Sequence, residues 1–302
     1  MTSSERVAPQ AGIYLAHKRR GETSFSLVHE LMEAARLAGV LPRKLPVCHG
    51  GALDPFADGL LLLLAGPATR LMELLHPVPK TYLARIEWGT ETDNGDHFGR
   101  AVASGDCSAL TPALLDAELA PLLGWTEQVP PAFSNKRVDG ERAYLKAHRG
   151  ETVVVPPSRV YLHQAQFVAH ELPRHSSLRL VCRGGYYVRS LARDLGRALG
   201  CRAHLSELRR TAIGPWLDPG EGARGFVSGA ELLPWLPSRL LSPREEKLVA
   251  MLKPIGPGPL RPPEWPLPEG FPGEPRVRAM HGSKLVGILA LDGATLLRLR
   301  PV

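Results

Sequence analysis

Asp54 is the sharpest candidate for chemistry in the chain. It lies in the Gly-rich run Cys48-His49-Gly50-Gly51-Ala52-Leu53-Asp54-Pro55 and precedes a residue with no backbone N–H to offer it. The proline also pushes Asp54 out of the helical region, which fixes its carboxylate at a junction between a loop and the next element. The same Asp-Pro pair equally describes a plain helix start, with the acid as cap and the proline in the first turn. His49 opens the run as a hydrogen-bonding loop residue, and Tyr82 falls on an alternating stretch as a half-buried aromatic. Arg189 stands at the start of a helical pattern, where the macrodipole repels a cation. That cost implies a specific partner, most simply a buried carboxylate.

The arginines point to an anionic ligand. Lys+Arg 37 against Asp+Glu 30 gives a net charge of +7 and a pI near 9.4, and 29 of the cations are Arg against 8 Lys. The planar guanidinium binds phosphate bidentately. Within residues 179–210 eight arginines (Arg179, Arg183, Arg189, Arg193, Arg197, Arg202, Arg209, Arg210) meet only Asp194 and Glu207. Nearly the whole surplus is local, which favours a basic patch over a diffuse solubilising charge. Arg189, Arg193 and Arg197 are four apart and line one helix face.

The elements that must hold these residues are a mixture of helices and strands. Thr23 or Ser24 caps a helix over residues 24–39, with Leu27, Leu31, Ala34 and Ala35 as its apolar stripe and Gly39 as its stop. Residues 60–65, bounded by Gly59 and Gly66, read as a strand buried on both faces. A second helix starts at Pro67 with Ala68, Leu71, Met72 and Leu75 facing in. Residues 81–88 alternate as a half-buried strand, and residues 178–182 form another that runs into the Gly184-Gly185 turn. Residues 188–199 are helical in period. Without a regular βαβ alternation the class is α+β rather than a doubly wound sheet.

Two segments stand apart. Residues 129–151 are polar and basic, a loop followed by a short helix from Glu141, and a surface segment of this length in a compact domain tends to be functional. Nine prolines within residues 254–275 exclude helix and central strand and leave an extended connector. Beyond it residues 276–279, 285–291 and 295–299 read as three short strands, with Asp292-Gly293 as a hairpin turn. The expected division is a main domain of residues 1–235 and a connector with a small C-terminal β appendage over residues 236–302.

Composition removes several classes. At 302 residues and 32.9 kDa, with 44% hydrophobic and 22% charged residues, disorder, collagen and disulfide scaffolds are excluded. Cys48, Cys107, Cys182 and Cys201 are widely spaced with no zinc-type pairing, as small core residues in a reducing cytoplasm would be, so neither a metal nor a disulfide is expected. The N-terminal stretch has no apolar core of signal-peptide length, and the longest uncharged apolar run, residues 59–69, is half of a bilayer span. A cytoplasmic protein, neither exported nor membrane-embedded, is the expectation.

The run His49-Gly50-Gly51-Ala52-Leu53-Asp54-Pro55-Phe56-Ala57-Asp58-Gly59 resembles the catalytic motif of the TruB family of tRNA pseudouridine synthases, His-x-Gly-x-Leu-Asp-Pro-x-Ala-x-Gly. Lys80-Thr81-Tyr82 resembles the family's Lys-x-Tyr motif, and Pro130-Pro131-Ala132-Phe133-Ser134 with Gly140 and Tyr144 is similar to its RNA-clamping insertion. The block from Gly185 to Gly196, then Gly200-Cys201-Arg202-Ala203-His204-Leu205 and Leu208-Arg209-Arg210, looks like the remaining motifs. The likeness runs in order over residues 12–216. More weakly, Val286-Gly287-Ile288 and Arg298-Leu299-Arg300-Pro301 resemble a small PUA-like module.

The resemblance implies a mixed, largely antiparallel sheet of pseudouridine synthase type flanked by helices. It implies isomerisation of a uridine (uridine-55) in the TΨC loop of tRNA, with no metal, cofactor or energy input. The base would be flipped out, cut from C1′ at N1, rotated and rejoined through C5. Asp54 would be the essential acid, either a nucleophile at C1′ or a base at C2′, with Arg189 pairing with it to keep it ionised. Tyr82 would stack on the target base, Tyr187 and Leu208 would wall the pocket, and His49 would wedge into the RNA loop or contact the displaced base. Lys136, Arg137, Arg142 and Arg149, with Arg193, Arg197, Arg202, Arg209 and Arg210, would then be the set that neutralises T-arm phosphates, some of them also making internal ion pairs, and affinity would fall steeply with salt. The implied partner is tRNA, bound by a monomer with no obligate protein partner.

Four departures from the family pattern bear on RNA docking. Cys48 stands where Gly is usual and Gly50 where Thr is usual. Lys18-Arg19-Arg20-Gly21-Glu22-Thr23-Ser24 replaces Lys-Pro-x-Gly-x-Thr-Ser, and Asn135-Lys136-Arg137 replaces a small residue, an apolar one and Lys. Three other readings fit parts of the pattern: an RNA-binding tRNA folding factor with incidental catalysis, a guide-RNA-type synthase acting on ribosomal RNA, and a glycosidase. The last usually needs two carboxylates.

Overall fold

In a computed structural model, which describes residues 8–40, 45–292 and 294–299, the run at residues 60–65 becomes the strand Asp58–Ala65, buried along its whole length. Alternation sends Leu60, Leu62 and Leu64 into one core and Leu61, Leu63 and Ala65 into another, which is why the sequence shows no polar phase there. Strands Gly12–Lys18 and Val47–His49 both pair with it antiparallel, and Arg224–Val227 pairs with Gly12–Lys18.

Helix Ser24–Leu37 lays Leu27, Val28, Leu31 and Ala35 onto the second core, and the Thr23 hydroxyl caps it by accepting from the Ser26 N–H at 3.0 Å. The helix expected from Pro67 is a 3₁₀ segment, Gly66–Leu71, followed by one α turn, Met72–Leu75. The tighter winding changes the phase of the following residues, so Met72, expected inward, is 45% exposed.

Contacts divide the chain into two compact units, Met1–Val78 with Ala212–Val302, and Pro79–Thr211. The expected boundary at 235/236 runs through the first of these, because Met280, Leu285, Ile288 and Leu299 share the core of Leu60, Leu62, Leu64 and Trp235. A shared core leaves no mark in linear order. The three expected C-terminal strands form as Arg276–His281, Lys284–Ala290 and Thr295–Arg298, and Ser238–Leu240 joins them in parallel to complete a four-stranded sheet. Gly293 of the expected hairpin turn, and Arg300 and Pro301 of the C-terminal resemblance, lie outside the described residues.

The proline-rich connector forms no strand or helix beyond a single bridging position, Arg261 opposite Ser238. It is tied down by Arg278, a buried guanidinium that donates to the carbonyls of Ala230, Leu232 and Leu236 and pairs with Glu264.

In the second unit Lys80–Trp88 pairs with His175–Cys182, which pairs with Ser158–Glu171, which pairs with Gly124–Gln128, all antiparallel. Ala203–Ile213 flanks Lys80–Trp88 on its other side. Lys80, Tyr82, Ala84, Ile86 and Trp88 share the buried face of their strand, and helix Val188–Ala198 buries Val188, Leu191, Ala192 and Leu195. The basic insertion carries a hairpin of two-residue strands, Arg137–Val138 with Glu141–Arg142, so its helix, Ala143–His148, starts two residues later than the sequence suggests. The mixture of largely antiparallel sheets with peripheral helices is the expected α+β class. Among the described residues no helix is long and apolar enough to cross a membrane.

Candidate active site

Asp54 is half-buried between neighbours that are not: Leu53 is 6% and Phe56 1% exposed. No helix follows it. The Ala57 N–H donates to the Asp54 carbonyl at 3.1 Å and closes a turn that feeds directly into strand Asp58–Ala65, so the helix-cap reading of the Asp-Pro pair does not hold. His49 ends the strand Val47–His49 opposite Leu63. Burial pushes the neighbouring Cys48 thiol above its ordinary range. A Cβ on Gly50 would come within 3.0 Å of Leu64 and 3.1 Å of Leu62, so glycine at the position where the family usually has Thr fits the packing of this chain.

The Asp54 turn is held through its backbone. Lys18, wholly buried at the end of strand Gly12–Lys18, donates from Nζ to the carbonyls of Ala57 at 2.6 Å, Arg19 at 3.1 Å and Pro55 at 3.4 Å. The Ser24 hydroxyl accepts from the Leu53 N–H at 2.9 Å and donates to the Leu53 carbonyl at 3.2 Å, while the Gly21 N–H donates to Pro55 at 2.8 Å. Arg20 reaches Asp58, the next residue after the turn, at 3.4 Å. In the sequence Lys18 stands out only as part of an imperfect motif, and Ser24 only there and as a helix-cap candidate. A signal for Lys18 was present, since it shares a strand face with Ala16.

Lys18→Met keeps the length of the side chain but leaves carbonyls of a buried turn short of a donor. It is expected to cost about 1–3 kcal/mol, seen as a lower urea midpoint at unchanged slope. An unchanged midpoint would remove Lys18 from the support of this turn.

Tyr82 faces inward from its strand opposite Leu180, and Lys80 shares that face opposite Cys182. Burial, reinforced by the nearby Arg210 guanidinium and more weakly by Arg183, holds the Lys80 ammonium down to about 7, with Cys182 acting the other way. Burial pushes the Cys182 thiol up to about 12. In the unfolded chain Lys80 keeps its proton to about pH 10.5, so above pH 7 the unfolded state binds more protons and stability rises with pH. Cys182 works in the opposite sense above pH 9, where a free cysteine begins to ionise. Urea stability is therefore expected to gain up to about 1.4 kcal/mol per pH unit between about pH 7 and 9 from this lysine. Lys80→Met should flatten that rise, and an equal rise in both proteins would contradict the assignment.

Arg189, 4% exposed, is the second residue of helix Val188–Ala198. Its Nη1 donates to the Asn94 carbonyl at 2.7 Å and its Nη2 to the Phe133 carbonyl at 2.9 Å, so one guanidinium ties the loop at residues 93–99 to the basic insertion. Carbonyl dipoles aimed at the cation offset part of the penalty of placing it at a helix start. Tyr187, the N-cap, is fixed by Gln128, whose Oε1 accepts from the Tyr187 N–H at 2.9 Å and whose Nε2 donates to the Tyr187 carbonyl at 3.0 Å. Leu208 is buried on strand Ala203–Ile213. Asn94, Pro131, Ala132, Arg189, Arg193 and Arg197 are among the residues lining a polar cleft of about 260 Å³ in this unit.

The expected phosphate set divides by burial and by ion pairing. Arg210 is 1% exposed because it lies on the buried phase of strand Ala203–Ile213, which corrects its place among the phosphate ligands. Arg197 donates to Glu91 and Arg202 lies 3.8 Å from the same carboxylate. Arg193 is engaged by Asp194 at 2.8 Å and the Val129 carbonyl at 2.9 Å, and Arg149 by Glu141 and Glu151. Arg137, Arg142 and Arg209 are exposed, with Lys136 and Arg202 half-buried. Within the insertion Arg142 leans on Asn135 at 3.0 Å and Arg137 on the Gly140 carbonyl at 3.0 Å. Glu91 went unnoticed in the sequence because it lies outside the arginine-rich segment. Among the described residues no cluster of His, Cys, Asp and Glu is arranged to hold a metal ion.

Residues 41–188 match the TruB family pseudouridylate synthase N-terminal domain, and residues 189–255 match the tRNA pseudouridylate synthase B C-terminal domain. A protein of Arthrobacter sp. (strain FB24) named tRNA pseudouridine synthase B is 38% identical over 229 residues, which cover 74% of this chain and 72% of that one. The chain belongs to the TruB family of pseudouridylate synthases. A further TruB relative, the tRNA pseudouridine synthase B of Xanthomonas campestris pv. campestris (strain B100), is 40% identical over 211 residues, 70% of this chain. The matched stretch spans 66% of the length of that relative.

Among solved structures, a Cbf5-Nop10-Gar1 complex aligns with 97% of this chain and 84% of its own at a TM-score of 0.62 and 20% identity. An H/ACA RNP bound to a substrate RNA containing 2′-deoxyuridine aligns at a TM-score of 0.60 and 17% identity. At those identities the likeness is one of fold. The Asp54 turn, the Lys80-Thr81-Tyr82 strand and Phe133 of the insertion all fall inside the matched TruB N-terminal domain, and Arg189 opens the C-terminal one.

Proposed function

We propose that the protein isomerises a uridine of the TΨC loop of tRNA, uridine-55, to pseudouridine. The observation that carries this reading is the Asp54 turn: a half-buried acid in a TruB-family motif, whose flanking backbone is fixed by Lys18, Gly21 and Ser24. Pre-organisation of this kind suits a group that must meet a flipped nucleotide in one geometry. Asp54 acts on the sugar, as nucleophile at C1′ or base at C2′, while the C1′–N1 bond breaks. The base rotates, C5 joins C1′, the proton on C5 leaves and N1 regains one, so the product is an isomer and no co-reactant is consumed.

In this reading Arg189 pairs with Asp54, and Tyr82 stacks on the base and assists loss of the C5 proton. Tyr187 and Leu208 wall the pocket, and His49 enters the RNA loop. Exposed Arg137, Arg142 and Arg209, with Lys136, Arg193 and Arg202, neutralise T-arm phosphates, giving a steep salt dependence. The protein works as a cytoplasmic monomer on tRNA, without a metal, a cofactor or an obligate protein partner. The test is incubation of the purified full chain, without additives, with an unmodified tRNA transcript, followed by base-resolved mapping of pseudouridine. Product in the T loop is expected, and its absence with a folded sample defeats the proposal.

A further inference from the structure

The loop at residues 93–99 carries an exposed aromatic pair for which the reaction above has no role. Phe98 is 71% exposed, the most exposed of the large aromatic side chains among the described residues. The His97 ring lies against it, with centroids 4.1 Å apart and planes at 39°. A lone surface Phe would need no explanation, but the backbone beneath this one is held on every side. Asp96, itself buried, accepts from the Phe98 N–H and from Asn94 Nδ2, both at 2.9 Å, and Asn94 Oδ1 accepts in turn from the Asp96 N–H at 2.9 Å. The Thr92 hydroxyl donates to the Asp96 carbonyl at 2.8 Å, and the His97 N–H donates to Leu205 at 3.0 Å.

The same loop is anchored to Arg189. The Asn94 carbonyl accepts from its guanidinium, and Gly95, at φ +78°, lies so close that an added Cβ would sit 3.1 Å from the Arg189 Cβ. The fold thus holds the backbone under a water-exposed ring, on a loop whose residues Asp93, Asn94 and Gly95 line a polar cleft with Arg189, Arg193 and Arg197. An exposed aromatic on an anchored loop, two residues from the 85% exposed Arg100 side chain, is a combination that receives unstacked nucleobases: the ring supplies a sequence-tolerant stacking face and a cation serves the backbone.

We propose that Phe98, backed by His97, is a stacking subsite for an unpaired nucleobase of the RNA substrate. This rests on the reading of the chain as an RNA-modifying enzyme. The readout is the dissociation constant of the full chain for an unmodified tRNA transcript, measured at several salt concentrations for the wild type, Phe98→Ser and Phe98→Trp. Phe98→Ser is expected to weaken binding about tenfold, the order of one lost base stack, with Phe98→Trp close to wild type. The slope against salt should stay unchanged, because no phosphate contact is lost. Transcripts carrying single abasic positions in the T loop identify the base: at one position the loss should weaken the wild type and leave Phe98→Ser unaffected.

Phe98→Ser binding within twofold of wild type, an altered salt slope, or no abasic position that couples to Phe98 would each overturn the subsite. A wild-type protein that forms pseudouridine while Phe98→Ser binds normally overturns the subsite alone. A folded wild type that neither binds nor modifies tRNA overturns the underlying reading as well. Phe98 is exposed, and matching unfolding midpoints verify that the variants keep the fold.

Discussion

Asp54→Asn is expected to lower pseudouridine formation by at least about 10³-fold while leaving the fold and tRNA affinity unchanged, since it removes the one charged oxygen the proposed chemistry uses. The anchors that Lys18, Gly21 and Ser24 make to this turn go to backbone atoms of Leu53, Pro55 and Ala57, so an isosteric amide leaves each of them in place. What disappears is the ionised oxygen, and both routes need it: an amide is a poor nucleophile at C1′ and no base at C2′. Single-turnover formation of pseudouridine at saturating enzyme separates this loss from binding, which filter retention measures independently. Activity within tenfold of wild type would remove Asp54 from the chemistry. The same variant tests the folding-factor reading, because a protein whose task is to remodel tRNA should keep its function in cells without this carboxylate.

Much of the scaffold was legible because it is written in local periodicity. The Thr23 cap, the stripe of Leu27 and Leu31, the apolar run that became Asp58–Ala65 and the three C-terminal strands each depend on neighbours within a few residues. The site was legible mainly through its motif order. The local rule for Asp54-Pro55 predicts a helix cap, and it fails because Phe56 and Ala57 are drawn into the core and leave room only for a turn before the next strand. Charge counting placed Arg210 on the surface, but the phase of its strand buries it. Charge counting also missed Glu91, which engages Arg197 and Arg202 from more than a hundred residues away in sequence. The division into units was hidden for the same reason: the Leu60–Leu62–Leu64 core is closed by residues near 235 and 285 that no local pattern connects to it.

Arg189→Lys tests whether charge or geometry matters at the other end of the motif series. Lysine keeps the positive charge, but a single ammonium on a flexible stem cannot serve the Asn94 and Phe133 carbonyls, which the planar fork reaches at 2.7 and 2.9 Å. If the fork is what aligns the 93–99 loop with the insertion, turnover should fall by about 10²–10³-fold, in line with the effect of misplacing a pre-organised group. Stability should fall by about 1 kcal/mol through the half-buried carbonyl left without its donor. Binding of tRNA should change little, because Arg189 is buried and the proposed function gives the phosphates to the exposed arginines. Turnover compared well below the unfolding transition of each protein separates this from a simple loss of folded enzyme. Turnover within threefold of wild type would show that charge alone suffices and that the two-loop clamp plays no part in catalysis.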